Sequence, residues 1–346
     1  MQIHQLDRVG FGVYPTPLER MPRLEQALKG PRLFVKRDDL TGVALGGNKV
    51  RQLDYILADA KKMKADYVIT TCGIQSNWSR QTVGMAVRMG MKALLVLRTA
   101  QFKNPPKVYD GNILLDHIMG AEIKTVQMKI SEDPKEILES EAEKLRRKGH
   151  TPIVLGLDAS VSPLATAGYV DAAKELASQF GSMGTDLDAI VVATGAGPTH
   201  AGLALGTKLL GMKTRVIGVN VGAYDSRWLK ATIKKTSSGA ARLLGSDTTL
   251  MGGDITIRDE FAGKDYGIPT KASIEAIRLA ARTEALILDP VYTSKAMSGL
   301  VKMAKSGEFK KDENVCFIHT GGVPALFAYK EHFQPASKGP QISQRL

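Results

Sequence analysis

Two short segments carry residue types that could do covalent chemistry. The first, Ala44-Leu45-Gly46-Gly47-Asn48-Lys49, places an amine directly after a glycine-rich bend. The second, Gly73-Ile74-Gln75-Ser76-Asn77, places a hydroxyl and several backbone N–H groups where a helix should start. An amine can form a Schiff base with a carbonyl, and free N–H groups at a helix start hold an anion. The pair suits pyridoxal phosphate chemistry on an amino acid. A lysine after two glycines is also the ordinary make-up of a solvated helix start. The reading therefore depends on what else the chain carries.

The run Thr194-Gly195-Ala196-Gly197-Pro198-Thr199 reads as a strand-to-helix turn. Such a turn aims N–H groups and the positive end of a helix dipole at an anion, ideally a phosphate. Pro198 removes one donor, and Thr199 offers a hydroxyl instead. Ser76 has three readings: nucleophile, proton relay or N-cap. The N-cap role is compatible with binding a carboxylate. Tyr266 and Tyr292 could act as acid/base groups only if they converge on one pocket. His319 closes an apolar run and reads as structural. The six histidines show no metal-ligand spacing, so no metal is expected.

The net charge is +12, but the basic residues are scattered, as in Lys61-Lys62, Arg146-Arg147-Lys148 and Lys234-Lys235. With aromatic residues at only 6%, there is no stacking platform, which argues against nucleic acid as partner. The positive field favours anionic small substrates. Cys72 and Cys316 lie in apolar runs and read as reduced, buried thiols in a cytoplasmic setting. The opening Met1-Gln2-Ile3-His4 does not read as a signal peptide, and no apolar run reaches membrane-spanning length, so no membrane is expected.

Short apolar runs predict strands over 33–36, 67–71, 93–97, 153–155, 189–194, 216–220 and 315–319. Amphipathic stretches predict helices over 49–62, 76–89, 112–119, 134–148, 162–179, 199–210, 273–284 and 294–305. Doubly apolar strands separated by helices imply an α/β fold with mostly parallel sheet covered on both faces. Ligands in such folds sit at the carboxyl ends of strands. The segments at Ser76, Gly195 and Thr320 fall at such junctions. The stretch 100–111 reads as a surface excursion and 335–346 as a loose polar tail. No internal repeat is present.

Taken in order, the motifs resemble those of the ACC deaminase/D-cysteine desulfhydrase family of pyridoxal phosphate enzymes. They are Tyr14-Pro15-Thr16-Pro17-Leu18-Glu19-Arg20, Lys36-Arg37-Asp38-Asp39-Leu40-Thr41-Gly42, Gly46-Gly47-Asn48-Lys49, Ile74-Gln75-Ser76-Asn77, Arg80-Gln81, Gly111-Asn112, Leu288-Asp289-Pro290-Val291-Tyr292 and His319-Thr320-Gly321-Gly322. The resemblance implies a tryptophan synthase β-like (type II) fold with two open, twisted, mostly parallel sheets and helices on both faces. It implies a large domain of residues 1–52 plus 164–346, a small domain of residues 53–163, and a homodimer. Lys49 matches the Schiff-base lysine, and Ser76 the serine near the substrate. Asn77 matches the residue that contacts the cofactor 3′-oxygen. Backbone groups of Ser76, Asn77 and Trp78 match the substrate-carboxylate cradle. Thr194, Gly195, Ala196, Gly197 and Thr199 match the phosphate loop, and Tyr266 and Tyr292 the two active-site tyrosines.

The chain also departs from the family. ACC deaminases carry glutamate, facing the pyridine nitrogen, where this chain has Thr293, and leucine where it has Thr320. Both threonines fit the desulfhydrase branch. Against that branch, Trp78 replaces a histidine and Gln52 a phosphate-binding lysine. The segment Gly156-Leu157-Asp158-Ala159-Ser160-Val161-Ser162-Pro163 lacks the usual Gly-Gly-Ser pattern. The resemblance implies a carbon–sulfur lyase acting by β-elimination, first on D-cysteine to give pyruvate, ammonia and sulfide. The alternatives are an L-cysteate sulfo-lyase or another β-substituted amino acid lyase, an ACC deaminase, and a cofactor-binding protein without lyase activity.

Overall fold

The computed structural model describes residues 6–99, 108–130 and 132–334. The expected tail 335–346 and most of the expected excursion at 100–111 lie outside the described residues. Two sheets organise the chain. The larger contains β1 (Leu18–Arg20), β2 (Arg32–Lys36), β7 (Ala189–Thr194), β8 (Arg215–Asn220), β9 (Thr256–Arg258) and β10 (Asn314–Ile318), in the order β1-β2-β10-β7-β8-β9. Only the β1–β2 pair is antiparallel. The smaller sheet is parallel throughout, in the order β5-β4-β3-β6. Its strands are β3 (Tyr67–Gly73), β4 (Lys92–Arg98), β5 (Glu122–Val126) and β6 (Pro152–Leu155).

Both faces of each sheet are covered, so the central strands are buried at nearly every position and mostly apolar. In the large sheet, Val191 and Phe317 face one core while Ile190, Val192, Cys316 and Ile318 face the other. In the small sheet, Val68, Leu95 and Leu97 separate in the same way from Ile69, Leu94 and Val96. This alternation of burial across two covered faces is why the central strands read as unbroken apolar runs. Three of the four edge strands do not. β1 and β9 have three residues each, and β5 alternates half-buried with exposed positions.

The helices that frame the site are α2 (Asn48–Ile56), α4 (Asn77–Arg88), α8 (Pro163–Ser182), α9 (Pro198–Leu209), α10 (Ser226–Leu243) and α12 (Thr293–Lys305). The others are α1 (Pro22–Leu28), α3 (Ala58–Lys62), α5 (Gly111–Ile118), α6 (Lys135–Arg146), α7 (Leu157–Ser160) and α11 (Lys271–Glu284). The expected helix over 49–62 is two helices, because the chain breaks after α2 at Leu57 and resumes as the short α3. The sequence pattern predicts no helix at α10, whose Thr-Ser-Ser-Gly interior reads as loop. Asp225 caps it by accepting from the Trp228 N–H at 2.9 Å. Gly239 lets it approach Pro163, where a Cβ would come within 2.5 Å of the proline ring.

One buried charge cluster ties α2 to the large sheet. Arg51 donates Nε and Nη2 to Asp38 at 2.9 Å each, and Nη1 and Nη2 to Glu175 on α8 at 2.7 and 2.9 Å. The Tyr169 hydroxyl donates to Asp38 at 2.6 Å, and Lys36 pairs with Glu175 at 2.9 Å. Burial alone would raise the Asp38 pKa, but the Arg51 guanidinium overrides it and holds the carboxyl below its usual range. Glu175 is held low by the same cation. A carboxylate depressed in the folded state contributes stability above its unfolded pKa, and that contribution is lost as pH falls through the folded value. Asp38→Ala leaves Arg51 buried and half-paired, which should cost about 3–5 kcal/mol. Denaturant unfolding of the two proteins at pH 7 and at about pH 2.5, below the ordinary carboxylate value, checks this. The wild type should lose stability on acidification, and the gap to the variant should narrow.

Candidate active site

The carboxyl ends of β3, β7 and β10 and the starts of α2, α4 and α9 border one cavity. Lys49 is the second residue of α2. The chain reaches it through four consecutive residues with positive φ, Ala44 (47°), Leu45 (63°), Gly46 (64°) and Gly47 (129°). A Cβ at Gly46 would come 2.1 Å from the Asp39 carbonyl oxygen, and one at Gly47 would come 2.7 Å from the Gln81 amide. The two glycines are therefore needed for this tight approach. The turn aims the lysine into the cavity, where its Nζ donates to Gln52 Oε1 at 3.1 Å and lies 5.7 Å from the centre of the Trp78 ring. No carboxylate pairs with it among the described residues. Desolvation, opposed only by nearby Cys72, lowers its pKa to about 8. The unprotonated, nucleophilic amine is thus far more populated near neutral pH than that of an ordinary lysine.

Ser76 is the N-cap of α4, accepting from the Ser79 N–H at 3.1 Å, and it also lines the cavity. The first N–H groups of α4 have no intrahelical acceptor. Asn77 takes two bonds on Oδ1, from Asn112 Nδ2 at 3.0 Å and Arg80 Nη1 at 3.3 Å. Its amide group is left to donate. Trp78 forms part of the wall and donates Nε1 to Thr70 Oγ1 at 2.8 Å.

Across the cavity, α9 starts at Pro198 after Gly197 in the left-handed region (φ 105°). Thr199 Oγ1 accepts from Asn48 Nδ2 at 3.0 Å and from Gln52 Nε2 at 3.1 Å. With both acceptor positions used, its own proton is free to donate to an anion. Gln52 thus links Lys49 to Thr199. Thr194, Gly195, Ala196 and Gly197 complete this wall. The Tyr266 and Tyr292 hydroxyls meet in a hydrogen bond, with the rings edge to face at 5.9 Å. Burial raises both phenols, so they are protonated donors at neutral pH.

The cavity brings together Lys49, Ser76, Asn77, Trp78, Thr194, Gly195, Ala196, Gly197, Thr199, Tyr266, Tyr292 and Thr320. Thr293 stands apart from these residues. It does not line the cavity, and its hydroxyl donates to Asp289 Oδ1 at 2.6 Å. Asp289 also accepts the N–H groups of Val291, Tyr292 and Thr293, so this carboxylate and hydroxyl cap α12 instead. His319 is structural as expected. It accepts from the Gly321 N–H at 3.2 Å and donates to the Ile287 carbonyl at 2.9 Å. Cys72 differs from expectation, being half-buried on the cavity wall, while Cys316 is buried.

Sequence reasoning missed Arg98 and Tyr224, which both line the cavity. A charge at the carboxyl end of an apolar strand was the available signal for Arg98. None existed for Tyr224, which lies between β8 and the unexpected α10.

The donor set fits pyridoxal phosphate. A low-pKa amine stands between a helix start with a free hydroxyl proton, suited to phosphate, and an amide NH2 suited to a phenolate oxygen. The comparisons agree. The family model described as "Pyridoxal-phosphate dependent enzyme" matches residues 9–321. The 1-aminocyclopropane-1-carboxylate deaminase of Bradyrhizobium diazoefficiens is 36% identical over 92% of this chain and 96% of its own length. The D-cysteine desulfhydrase of Salmonella paratyphi C is 38% identical over 92% of this chain and 94% of its own. A crystal structure of an ACC deaminase homologue superposes with a TM-score of 0.85 at 36% identity, covering 95% and 96% of the two chains. The processed form of threonine deaminase isoform 2 from Solanum lycopersicum shares the fold. It has 18% identity and a TM-score of 0.59 over 92% of this chain and 81% of its own. Among the described residues, no helix is long and apolar enough to cross a membrane. The motifs, the cavity and these relatives agree: the chain belongs to the pyridoxal-phosphate dependent enzymes of the type II fold, as a lyase of the ACC deaminase/D-cysteine desulfhydrase family.

Proposed function

We propose that this enzyme catalyses β-elimination on a small β-substituted amino acid, with D-cysteine as the first candidate, giving pyruvate, ammonia and sulfide. The observation that carries the reading is the cavity wall, which bears no carboxylate among the described residues. The resemblance associates ring opening of a cyclopropane with a glutamate at the pyridine nitrogen. Here Thr293 is turned away to Asp289, and the nearby cavity-lining hydroxyl is that of Thr320. Without a carboxylate to keep that nitrogen protonated, the electron sink is weaker. A good β-leaving group needs less from it than a carbon–carbon bond does.

When bound, pyridoxal phosphate supplies the sink for the electron pair left at Cα. The remaining work belongs to the chain. The 195–199 turn and the Thr199 hydroxyl hold the phosphate, and the Asn77 amide holds the ring oxygen. Ser76 and the N–H groups at the start of α4 hold the substrate carboxylate. Lys49, released by the substrate amine, takes the Cα proton. Tyr266 and Tyr292, kept protonated by burial, donate toward the departing β-substituent.

Three outcomes follow. Borohydride reduction of the yellow holoenzyme should fix the cofactor on the Lys49 peptide. Lys295, the other buried lysine brought to about 8 by desolvation, is tied to the Val221, Ala262 and Asp265 carbonyls and should stay unlabelled. Because the Lys49 amine is depressed to about 8, cofactor uptake by the apoprotein should accelerate as pH rises from 7 toward 9. Stopped-flow absorbance reads this, and a rate flat across that range counts against Lys49.

Thr199→Val removes one donor to a charged phosphate, worth about 1.5–3 kcal/mol. Cofactor affinity should fall by roughly 10- to 100-fold with the far-ultraviolet dichroism unchanged. Unaltered affinity means that the phosphate sits elsewhere.

A panel of both enantiomers of cysteine, cysteate and other β-substituted alanines, together with ACC, tests the reaction. Release of the β-substituent with little or no 2-oxobutanoate from ACC is the expected result. Efficient 2-oxobutanoate formation without elimination would overturn the reading.

A further inference from the structure

Arg98 is a buried cation that its protein neighbours do not neutralise. It ends β4, and in the parallel ladder it stands directly beside Gly73, the glycine that opens the Ser76 segment. The residue is 4% exposed and lines the cavity. Its Nη1 carries every hydrogen bond the guanidinium makes among the described residues, to the carbonyls of Lys129 (3.2 Å), Ile130 (2.8 Å) and Glu132 (3.0 Å). These acceptors are neutral. Nε is buried with no partner, and Nη2 has none among the described residues. No carboxylate of the described residues forms an ion pair or hydrogen bond with it.

A guanidinium cannot shed its proton in a protein, so this charge persists. Burying it unpaired is costly. Arg51, buried to a similar degree, is matched by two carboxylates. The comparison implies that the counterion of Arg98 arrives from the cavity. The 195–199 turn is assigned to the cofactor phosphate, and the start of α4 to the substrate carboxylate. One negative group remains to be accounted for. Tyr224, which lines the wall near Arg98 and stacks on Trp228 at 3.9 Å, adds a second donor. Gly73 carries no side chain to cover the guanidinium, and the nearest atom its Cβ would meet is in Ile130 at 3.5 Å.

We infer that Arg98 is a specificity residue that receives negative charge on the substrate β-substituent, so that within the class proposed above, where D-cysteine ranks first on the resemblance alone, substrates already anionic at Cβ, such as a sulfonate or a phosphate ester, react in preference to the uncharged thiol. The inference rests on the elimination reading above. The Cα proton passes to Lys49, and the Cβ–X bond breaks with its electron pair leaving on X. A sulfonate departs as sulfite, a phosphate ester as phosphate and a thiol as sulfide. Water then hydrolyses the unsaturated amine to pyruvate and ammonia, with no external oxidant or reductant. Charge grows on X as the bond breaks, so the interaction with Arg98 strengthens toward the transition state.

The test uses holoenzyme, wild type and Arg98→Gln. It measures kcat/KM for both enantiomers of cysteate and O-phosphoserine against uncharged β-chloroalanine. Calorimetry adds 3-sulfopropanoate and butanoate, which lack the amine and cannot react with the cofactor. The wild type should favour an anionic substituent. Arg98→Gln should lose about 100-fold on that substrate, and less than about threefold on β-chloroalanine. Binding of 3-sulfopropanoate should weaken by about tenfold or more, with butanoate unmoved. Arg98→Lys, which keeps the charge, should recover part of both. Cysteate activity against O-phosphoserine activity tells sulfonate from phosphate ester. Equal losses on every substrate and ligand would reduce Arg98 to a clamp on the 129–132 carbonyls and overturn the inference. So would a wild type indifferent to substituent charge. If nothing is eliminated from any substrate but 3-sulfopropanoate still binds through Arg98, the anion subsite stands and the elimination reading falls.

Discussion

The Arg51 guanidinium is the constraint on which the geometry of the site depends. Lys49 and Arg51 are two residues apart on α2, so their side chains leave the helix about 200° apart. One reaches the cavity, and the other reaches into the interface with β2 and α8. Because the fork of Arg51 meets two carboxylates with four donor contacts, α2 has little freedom to rotate or slide. A helix whose far face is locked in this way presents its near face in one orientation. The motif Lys36-Arg37-Asp38-Asp39 therefore acts on the chemistry without touching it.

The second brace comes from α4. Gln81 accepts from the Val50 N–H at 3.0 Å and donates to the Asn77 carbonyl at 2.9 Å. Arg80 reaches the Gly46 carbonyl, Asn112 and the Asn77 side chain. These two neighbours couple the lysine turn to the serine turn. The positive-φ backbone at 44–47 is a costly conformation, and the Arg80 bond to Gly46 helps to hold it. Net gains per hydrogen bond are near 1 kcal/mol, but each of these groups is buried, so losing a partner costs more than making the bond gains.

The covered central strands and the capped helices were legible in the sequence, because burial on both faces and N-cap chemistry leave local marks. Ser76 and Ser162 sit as caps where the pattern placed helix starts. The edge strands β1, β5 and β9 and the helix α10 were not legible. Their stability comes from partners distant in sequence, such as Pro163 against Gly239. The cavity wall divides in the same way. Ser76 and Thr199 sit at strand-to-helix junctions, and Lys49 follows a glycine-rich bend, all of which a pattern can find. Arg98 matters because of what it does not bond to, and no local pattern records the absence of a partner. Thr293 shows the converse. Its position suggested a hydroxyl for the cofactor ring, but a carboxylate four residues earlier captured it as part of a helix cap.

The wall also limits which group can move a proton. Burial raises the phenols of Tyr224, Tyr266 and Tyr292, so they can give a hydrogen bond but do not readily lose a proton. His200 is pushed down to about 4 by burial and stays neutral, with Nδ1 occupied by Thr194. Of the amine, phenols and imidazole of this wall, only Lys49 is brought to about 8. In the proposed reaction, cofactor capture and Cα proton removal would therefore fall to the same nitrogen. Gln52 and Trp78, which neighbour that amine at 3.1 and 5.7 Å, would then position the base as well as form the wall.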